Sequence, residues 1–194
     1  MSPGASIFAA RAPRREPGRS PGRPGAGPSG PAAVHRPVLL AEVLAGVEQA
    51  FGADASGLYV DGTVGAAGRA AALLQRFPRL ELSGFDWDPD SLALAAQRLA
   101  PFGPRASLRR ARLSELDGEL AALGRAPQLL LVDLGVCSLH FDRPERGFSV
   151  QADGPLDMRM DPLQETTAAD LVARLSEERL ADLIWREGGE PRAR

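Results

Sequence analysis

The sequence predicts a doubly wound α/β fold built on a parallel sheet, and three observations carry that expectation. Short apolar runs alternate with longer stretches of helical period, as repeated βαβ units require. One strand-like run opens into a glycine turn, Asp61-Gly62-Thr63-Val64-Gly65-Ala66-Ala67-Gly68. Another, Gln128 to Leu134, is almost wholly apolar and closes on Asp133 and Gly135. Unbroken apolarity marks a strand buried on both faces, and ligands in such sheets sit beyond the carboxyl ends of the strands.

Taken in order, residues 1–34 are rich in Pro, Gly, Ala, Ser and Arg and show no sustained apolar period. They cannot bury enough surface to offset their ordering entropy and are expected to be a disordered extension. Their arginine-rich, acid-poor composition resembles an organellar transit peptide, which points to a mitochondrion or plastid; a plain tail in the bacterial cytoplasm is the alternative. From Pro37 to Ala50, Leu39, Leu40, Val43, Leu44 and Val47 form a helical stripe after a proline start. Leu58-Tyr59-Val60 is the first strand. The glycine turn follows it, and an Ala/Leu-rich helix runs to Phe77. Glycines there permit a tight turn and bring backbone N–H groups to a ligand at the helix start.

Leu80 to Phe85 is the second strand and ends at Asp86, where a carboxylate can accept both hydroxyls of a ribose. Asp86, Asp88 and Asp90 imitate the start of a calcium loop, but Pro89 intervenes, Ser91 stands where glycine is needed and Gln97 where glutamate is needed. No metal site is expected. Asp90 is read as the cap of a helix reaching Ala100, with Leu92, Ala95, Ala96 and Leu99 inward. Ser107 to Leu113 is a third strand, Glu115 to Leu123 a short helix and Gln128 to Leu134 the fourth strand. Beyond Asp161 only helices follow: one from Thr166-Thr167 through Val172, another from Ser176 through Trp185. The expected domains are thus the extension 1–34, an α/β ligand-binding domain at 35–141, and a loop with the start of a helical insertion at 142–194.

Composition narrows the function. All 23 basic residues are arginine, which a GC-rich coding sequence explains without invoking a ligand. Residues 1–34 hold five Arg and one acid, so the remainder, with 18 Arg against 24 acids, is itself acidic. Binding to nucleic acid by bulk charge is therefore excluded, and a local basic patch or partner surface is needed. No apolar run approaches the length of a membrane span, and one cysteine cannot form an internal disulfide.

The segment Pro144-Glu145-Arg146-Gly147-Phe148-Ser149, followed by Asp153-Gly154-Pro155-Leu156-Asp157-Met158-Arg159-Met160-Asp161, closely resembles the small-subunit ribosomal RNA cytosine-N4 methyltransferases, bacterial and organellar. The similarity begins at His35-Arg36-Pro37-Val38-Leu39-Leu40 and includes Asp133-Leu134-Gly135. It implies a Rossmann-like class I sheet, of which four strands are recognisable here, and S-adenosylmethionine as cofactor. The substrate implied is small-subunit ribosomal RNA or an assembling small subunit. Cofactor contacts carry over to Ala67, Gly68 and Arg69, where the family usually has Gly-Gly-His. They carry over also to Asp86 for the ribose, to Leu113 where an aromatic usually flanks the adenine, to Asp133, and to His140 in place of a glutamine. Asp133 is the expected catalytic residue, holding the target amine toward the methyl group. His35 matches the family's start without an assignable role.

Arg143, Arg146 and Arg159 are candidate phosphate contacts, with internal ion pairs as the alternative. Met158 and Met160 are expected to be packing residues. Three other functions stay open at this point. Cys137, where the family has serine, suits a cytosine-C5 methyltransferase that attacks through a thiolate; the glycine turn with Asp86 suits an NAD-dependent oxidoreductase; and the altered loop suits an inactive relative that only binds cofactor or ribosomal subunit. Class I methyltransferase sheets use seven strands. With four, the chain is expected to be a shortened product whose last strand is an unpaired edge, and an inefficient enzyme alone. Nothing in the sequence sets the oligomeric state.

Overall fold

A computed structural model describes residues 6–8 and 37–193. Five parallel strands form one sheet: β1 (Ser6–Phe8), β2 (Ser56–Asp61), β3 (Arg79–Asp86), β4 (Ala106–Arg110) and β5 (Leu129–Leu131), in the order β1-β5-β2-β3-β4. From β2 the chain moves outward through β3 to β4, then returns to the other side of β2 as β5. That reversal makes a switch point between β2 and β5, where the loops leaving neighbouring strands diverge and open a crevice.

The helices lie where the apolar stripes require. The helices α1 (Leu40–Phe51), α2 (Gly68–Arg76) and α3 (Pro89–Leu99) cover one face, packing Val47, Leu73, Leu74, Phe77, Ala95 and Leu99 on Tyr59, Leu82, Leu129 and Leu131. On the other face α4 (Leu116–Ala122) brings Leu116 onto Leu58, Val60 and Phe85. Alternate residues of β2 thus feed opposite cores, as the pleat demands. Then follow α5 (Ser138–Asp142), α6 (Ala168–Arg174) and α7 (Glu177–Gly188). Thr167 caps α6 reciprocally with Asp170, and Ser176 caps α7 through the Arg179 amide.

Several expectations need correction. Within 1–34, Ser6–Phe8 is a strand paired with β5, so β5 is not the unpaired edge that was anticipated; the rest of that segment, and His35, lie outside the described residues. The cap of α3 is Asp88, whose side chain accepts from the Asp90 amide, because Pro89 occupies the first helical position and the residue before it must be the cap. Strand β4 stops at Arg110 and β5 at Leu131, short of Leu113 and Leu134. A five-residue helix, α5, was not expected at all.

The segment between α5 and α6 has little regular structure, yet it is pinned. Gly147 has φ 78°, and a Cβ there would lie 2.4 Å from the Pro155 carbonyl oxygen and 2.7 Å from the Asp157 nitrogen. Only glycine lets those two strands of loop touch. Asp161 is buried and accepts from Arg110, tying the far end of the segment to β4.

Candidate active site

At the carboxyl ends of β2, β3 and β5 lies a cavity of about 510 Å³, within the range that holds a nucleoside-sized ligand. The glycine turn from Gly62 forms one wall with Gly68 and Arg69; Asp86, Trp87, Ala111 and Leu113 form another; Asp133 to Cys137 and His140 form the third. Of the residues expected from the sequence, Gly68, Arg69, Asp86, Leu113, Asp133 and His140 therefore converge. Ala67 does not reach the wall. It is fully buried and caps α2 with φ 58°, a left-handed conformation that costs a side-chain-bearing residue about 1 kcal/mol.

Asp86 is held by the backbone. Its Oδ2 accepts from the Gly65 amide at 2.7 Å and its Oδ1 from the Asp88 amide at 2.9 Å. Burial pushes its carboxyl above the ordinary value, and those two amides partly offset the rise. Each oxygen keeps a second lone pair, so the carboxylate can still accept from two vicinal hydroxyls. Leu113 is partly exposed and offers the cavity an apolar contact without a ring. Trp87, which was not singled out from the sequence, is the nearby aromatic on the wall, with the Arg112 guanidinium 4.1 Å from its ring centre.

Asp133 follows β5 and is half-exposed. Its amide donates to Thr63 Oγ1 at 2.7 Å, joining the tip of β5 to the glycine turn. Its carboxylate accepts from Arg69 Nη2 at 2.5 Å. Arg69 thus holds the candidate catalytic acid across the mouth of the cavity.

Beneath the turn, Tyr59 donates to Asp61 Oδ2 at 2.5 Å and the Thr63 amide donates to Oδ1 at 3.2 Å. Burial pushes Asp61 up to about 6 despite these bonds, and desolvation, then the neighbouring carboxylate, pushes the Tyr59 hydroxyl well above its usual range. The sequence does contain the signal for this pair: residues two apart on a strand share a face.

His140, expected as a cofactor contact, lines the cavity with its ring nitrogens engaged by the protein. Its ring is buried, Nε2 lies 3.0 Å from Asp88 Oδ2, and Nδ1 accepts from the Cys137 amide at 3.1 Å. Both ring nitrogens therefore serve the protein. Cys137 Sγ stands 3.5 Å from the same Nδ1 and 3.8 Å from Ser91 Oγ. Burial works against charge on Asp88, but the hydrogen bonds from His140 and Ser91 and the charge of Arg146 outweigh it and hold the carboxyl down to about 2. Burial likewise opposes a charged imidazole, yet Asp88 and Cys137 raise His140 to about 9; the Cys137 amide, aimed at Nδ1, favours the neutral ring. The Cys137 thiol is lowered, burial being outweighed by the hydrogen bond and charge of His140.

The three arginines considered for phosphate are internal partners. Arg143 pairs with Asp90 at 2.5 Å; buried Arg146 reaches Asp88, Asp90 and the carbonyls of Arg159 and Met160; Arg159 binds Asp157 and the Gln164 carbonyl. They fasten the loop to the start of α3 and to itself. Among the described residues no group of acids, histidines and cysteine could hold a metal ion. No helix among them is long and apolar enough to cross a membrane.

Residues 32–194 match the family model of the MraW methylase family. The ribosomal RNA small subunit methyltransferase H of Sorangium cellulosum (strain So ce56) is 46% identical over 162 residues, covering 82% of this chain and 50% of that protein. The protein of the same description from Nitratidesulfovibrio vulgaris (strain DP4) is 47% identical over 163 residues, covering 83% and 49%. The chain spans about half the length of the curated relatives it matches. An rRNA methylase of known crystal structure from Streptococcus thermophilus aligns at 26% identity with a TM-score of 0.33, over 45% of this chain and 50% of that one, an overlap too small to carry an argument. These relatives are bacterial and lend no support to an organellar address.

Proposed function

This chain belongs to the MraW methylase family, and from that premise we propose that its cavity binds S-adenosylmethionine and serves methyl transfer to the exocyclic N4 of a cytosine in small-subunit ribosomal RNA. One observation carries the reading: the glycine turn after β2, Asp86 after β3 and Asp133 after β5 meet around one cavity at the switch point of the sheet. The residues fit the cofactor. Asp86 offers a backbone-held carboxylate for ribose hydroxyls, Ala111, Leu113 and Trp87 offer an apolar slot for a flat base, and Arg69 with Asp133 offers both signs of charge to an amino-acid group.

The cofactor supplies an electrophilic methyl group on sulfur. What the chain must supply is a reactive nitrogen, because the cytosine amine is delocalised into its ring and is a weak nucleophile. A base edge is inaccessible in a stacked helix, so the target base has to swing out and enter the cavity mouth. Asp133, half-exposed there, accepts a hydrogen bond from the amine, turns its nitrogen toward the methyl group and takes the proton that nitrogen sheds. Arg69 engages one oxygen of that carboxylate, Oδ2, and the Thr63 contact keeps its backbone fixed. The bacterial relatives favour a bacterial cytoplasmic setting over an organellar one.

Cys137 on the cavity wall keeps the C5 reaction as a second reading. Both are tested by incubating the chain with small-subunit ribosomal RNA, or the assembling subunit, and S-adenosylmethionine carrying a labelled methyl group, then identifying the nucleoside by mass spectrometry. The expected product is N4-methylcytidine. Asp133→Asn is expected to lower transfer by about 100-fold or more, a loss larger than the one it causes in affinity for S-adenosylhomocysteine, to whose amino-acid group the carboxylate also offers its charge. Labelled 5-methylcytidine, or transfer indifferent to Asp133→Asn, would overturn the proposal.

A further inference from the structure

The chain of contacts from Arg146 through Asp88 and His140 to Cys137 is not used by the methyl-transfer reading. It is assembled from three separate parts of the fold. Asp88 comes from the start of α3, Cys137 and His140 from the loop after β5 and from α5, and Arg146 from the pinned loop beyond. Arg146 lies 3.4 Å from Asp88 Oδ1, Asp88 Oδ2 lies 3.0 Å from His140 Nε2, and His140 Nδ1 lies 3.5 Å from Cys137 Sγ. When the thiol proton sits on Nδ1 the series reads cation, anion, cation, anion, so each charge faces its opposite in a poorly solvated place. Cys137 is half-buried and lies on the cavity wall, so the sulfur end of this series faces the space that ligands enter.

We propose that Cys137 is a nucleophilic thiol site that takes low-molecular-weight disulfides, and that the resulting mixed disulfide fills part of the cavity. The thiol proton passes to His140 Nδ1, with Nε2–H directed at Asp88. The thiolate attacks one sulfur of the disulfide, a new Sγ–S bond forms as the S–S bond breaks, and the departing thiolate takes the proton back from Nδ1. Cys137 is oxidised and the small disulfide is reduced to its thiol, so no further reagent is needed. Other charged groups nearby are Asp90, which pairs with Arg146 and Arg143, and Asp142 on the cavity wall; Ser91 Oγ lies 3.8 Å from the sulfur. The Cys137 amide, bonded to the same Nδ1, opposes protonation of the ring and sets the limit of the effect. Competition between adduct and cofactor rests on the function proposed above; the reactivity of the thiol does not.

The test treats the full chain with 4,4′-dithiodipyridine from pH 5 to 9 and follows the released thiopyridone, with intact mass confirming one adduct on the single cysteine. The half-point of the rate profile is expected at least one pH unit below the free-thiol value of about 8.5, and Asp88→Asn is expected to move it upward. A half-point at or above that of free thiol in the wild-type chain overturns the proposal without any variant. Affinity for S-adenosylhomocysteine, measured on the same samples by calorimetry, is expected to fall at least tenfold in the treated wild-type chain and to survive treatment in Cys137→Ser. An adduct that leaves that affinity unchanged overturns the claim that it fills the cavity. If neither sample binds S-adenosylhomocysteine before treatment, the cofactor reading fails while the rate profile still decides the thiol site.

Discussion

Replacing Asp88 by asparagine isolates the charge that holds the start of α3, His140 and Arg146 together. Asparagine caps a helix about as well as aspartate, so the loss of a cap contributes little. What disappears is a fully buried carboxylate held down to about 2 from an ordinary 3.8. A difference of nearly two units corresponds to about 2.5 kcal/mol. Removing one partner of a buried pair costs about 3–5 kcal/mol, and Arg146 keeps Asp90 and two carbonyls, which places the loss at the low end. The two routes meet near 3 kcal/mol, or about 6–12 °C in Tm for a chain of this size. The sign is fixed by the direction of the shift. A depressed carboxyl contributes stability that is present above its unfolded value near 3.8 and is lost as pH falls through about 2. Urea unfolding followed by circular dichroism should show wild type and Asp88→Asn separated by about 3 kcal/mol at pH 7, with the gap closing toward pH 2. A gap below about 1 kcal/mol at pH 7, or one that stays constant down to pH 2, would refute the assignment of Asp88 as the buried anchor.

Three further outcomes follow from the same geometry. Asp61, raised from 3.8 to about 6 by burial, contributes stability that is fully present below pH 3.8 and lost as pH rises through 6; Asp61→Asn should flatten that slope, worth about 3 kcal/mol, in urea midpoints measured from pH 4 to 7. Gly147→Ala drives a Cβ against the Pro155 carbonyl at a positive φ and should destabilise by at least about 2 kcal/mol, read as a lowered thermal midpoint. Ala67→Gly relieves about 1 kcal/mol of left-handed strain but removes a fully buried methyl group worth about 0.8 kcal/mol and loosens the unfolded chain, so the same melt should shift by less than about 1 kcal/mol in either direction.

The parts that were legible in the sequence depend on local pattern. Asp86 and Asp133 could be placed because each ends an apolar run that only a buried strand explains, and Thr167 and Ser176 because a hydroxyl before a polar first turn is a cap. Asp88 was readable in the same way, since proline favours the first helical position, but three acids at alternate positions drew the cap to Asp90. Ser6–Phe8 is too short to show a period of two and stands among prolines, glycines and arginines. The pairings that govern the site were out of reach for a different reason. His140 meets Asp88 across 52 residues and Arg69 meets Asp133 across 64; nothing in a local window distinguishes a buried His140 or Arg146 from a solvated one. The contacts of His140 and Arg146 make internal supports of residues that were candidates for cofactor and phosphate, while Asp86, Arg69 and Asp133 remain among the polar groups that face the cavity.

The most direct test of the account is whether that cavity binds the cofactor's demethylated product through Asp86. Calorimetric titration of the chain with S-adenosylhomocysteine should give saturable one-to-one binding, no binding of NAD, and an affinity lowered about tenfold or more by Asp86→Asn, the loss of a charged acceptor to the ribose. Binding of NAD in preference to S-adenosylhomocysteine, or an S-adenosylhomocysteine affinity indifferent to Asp86→Asn, would contradict it.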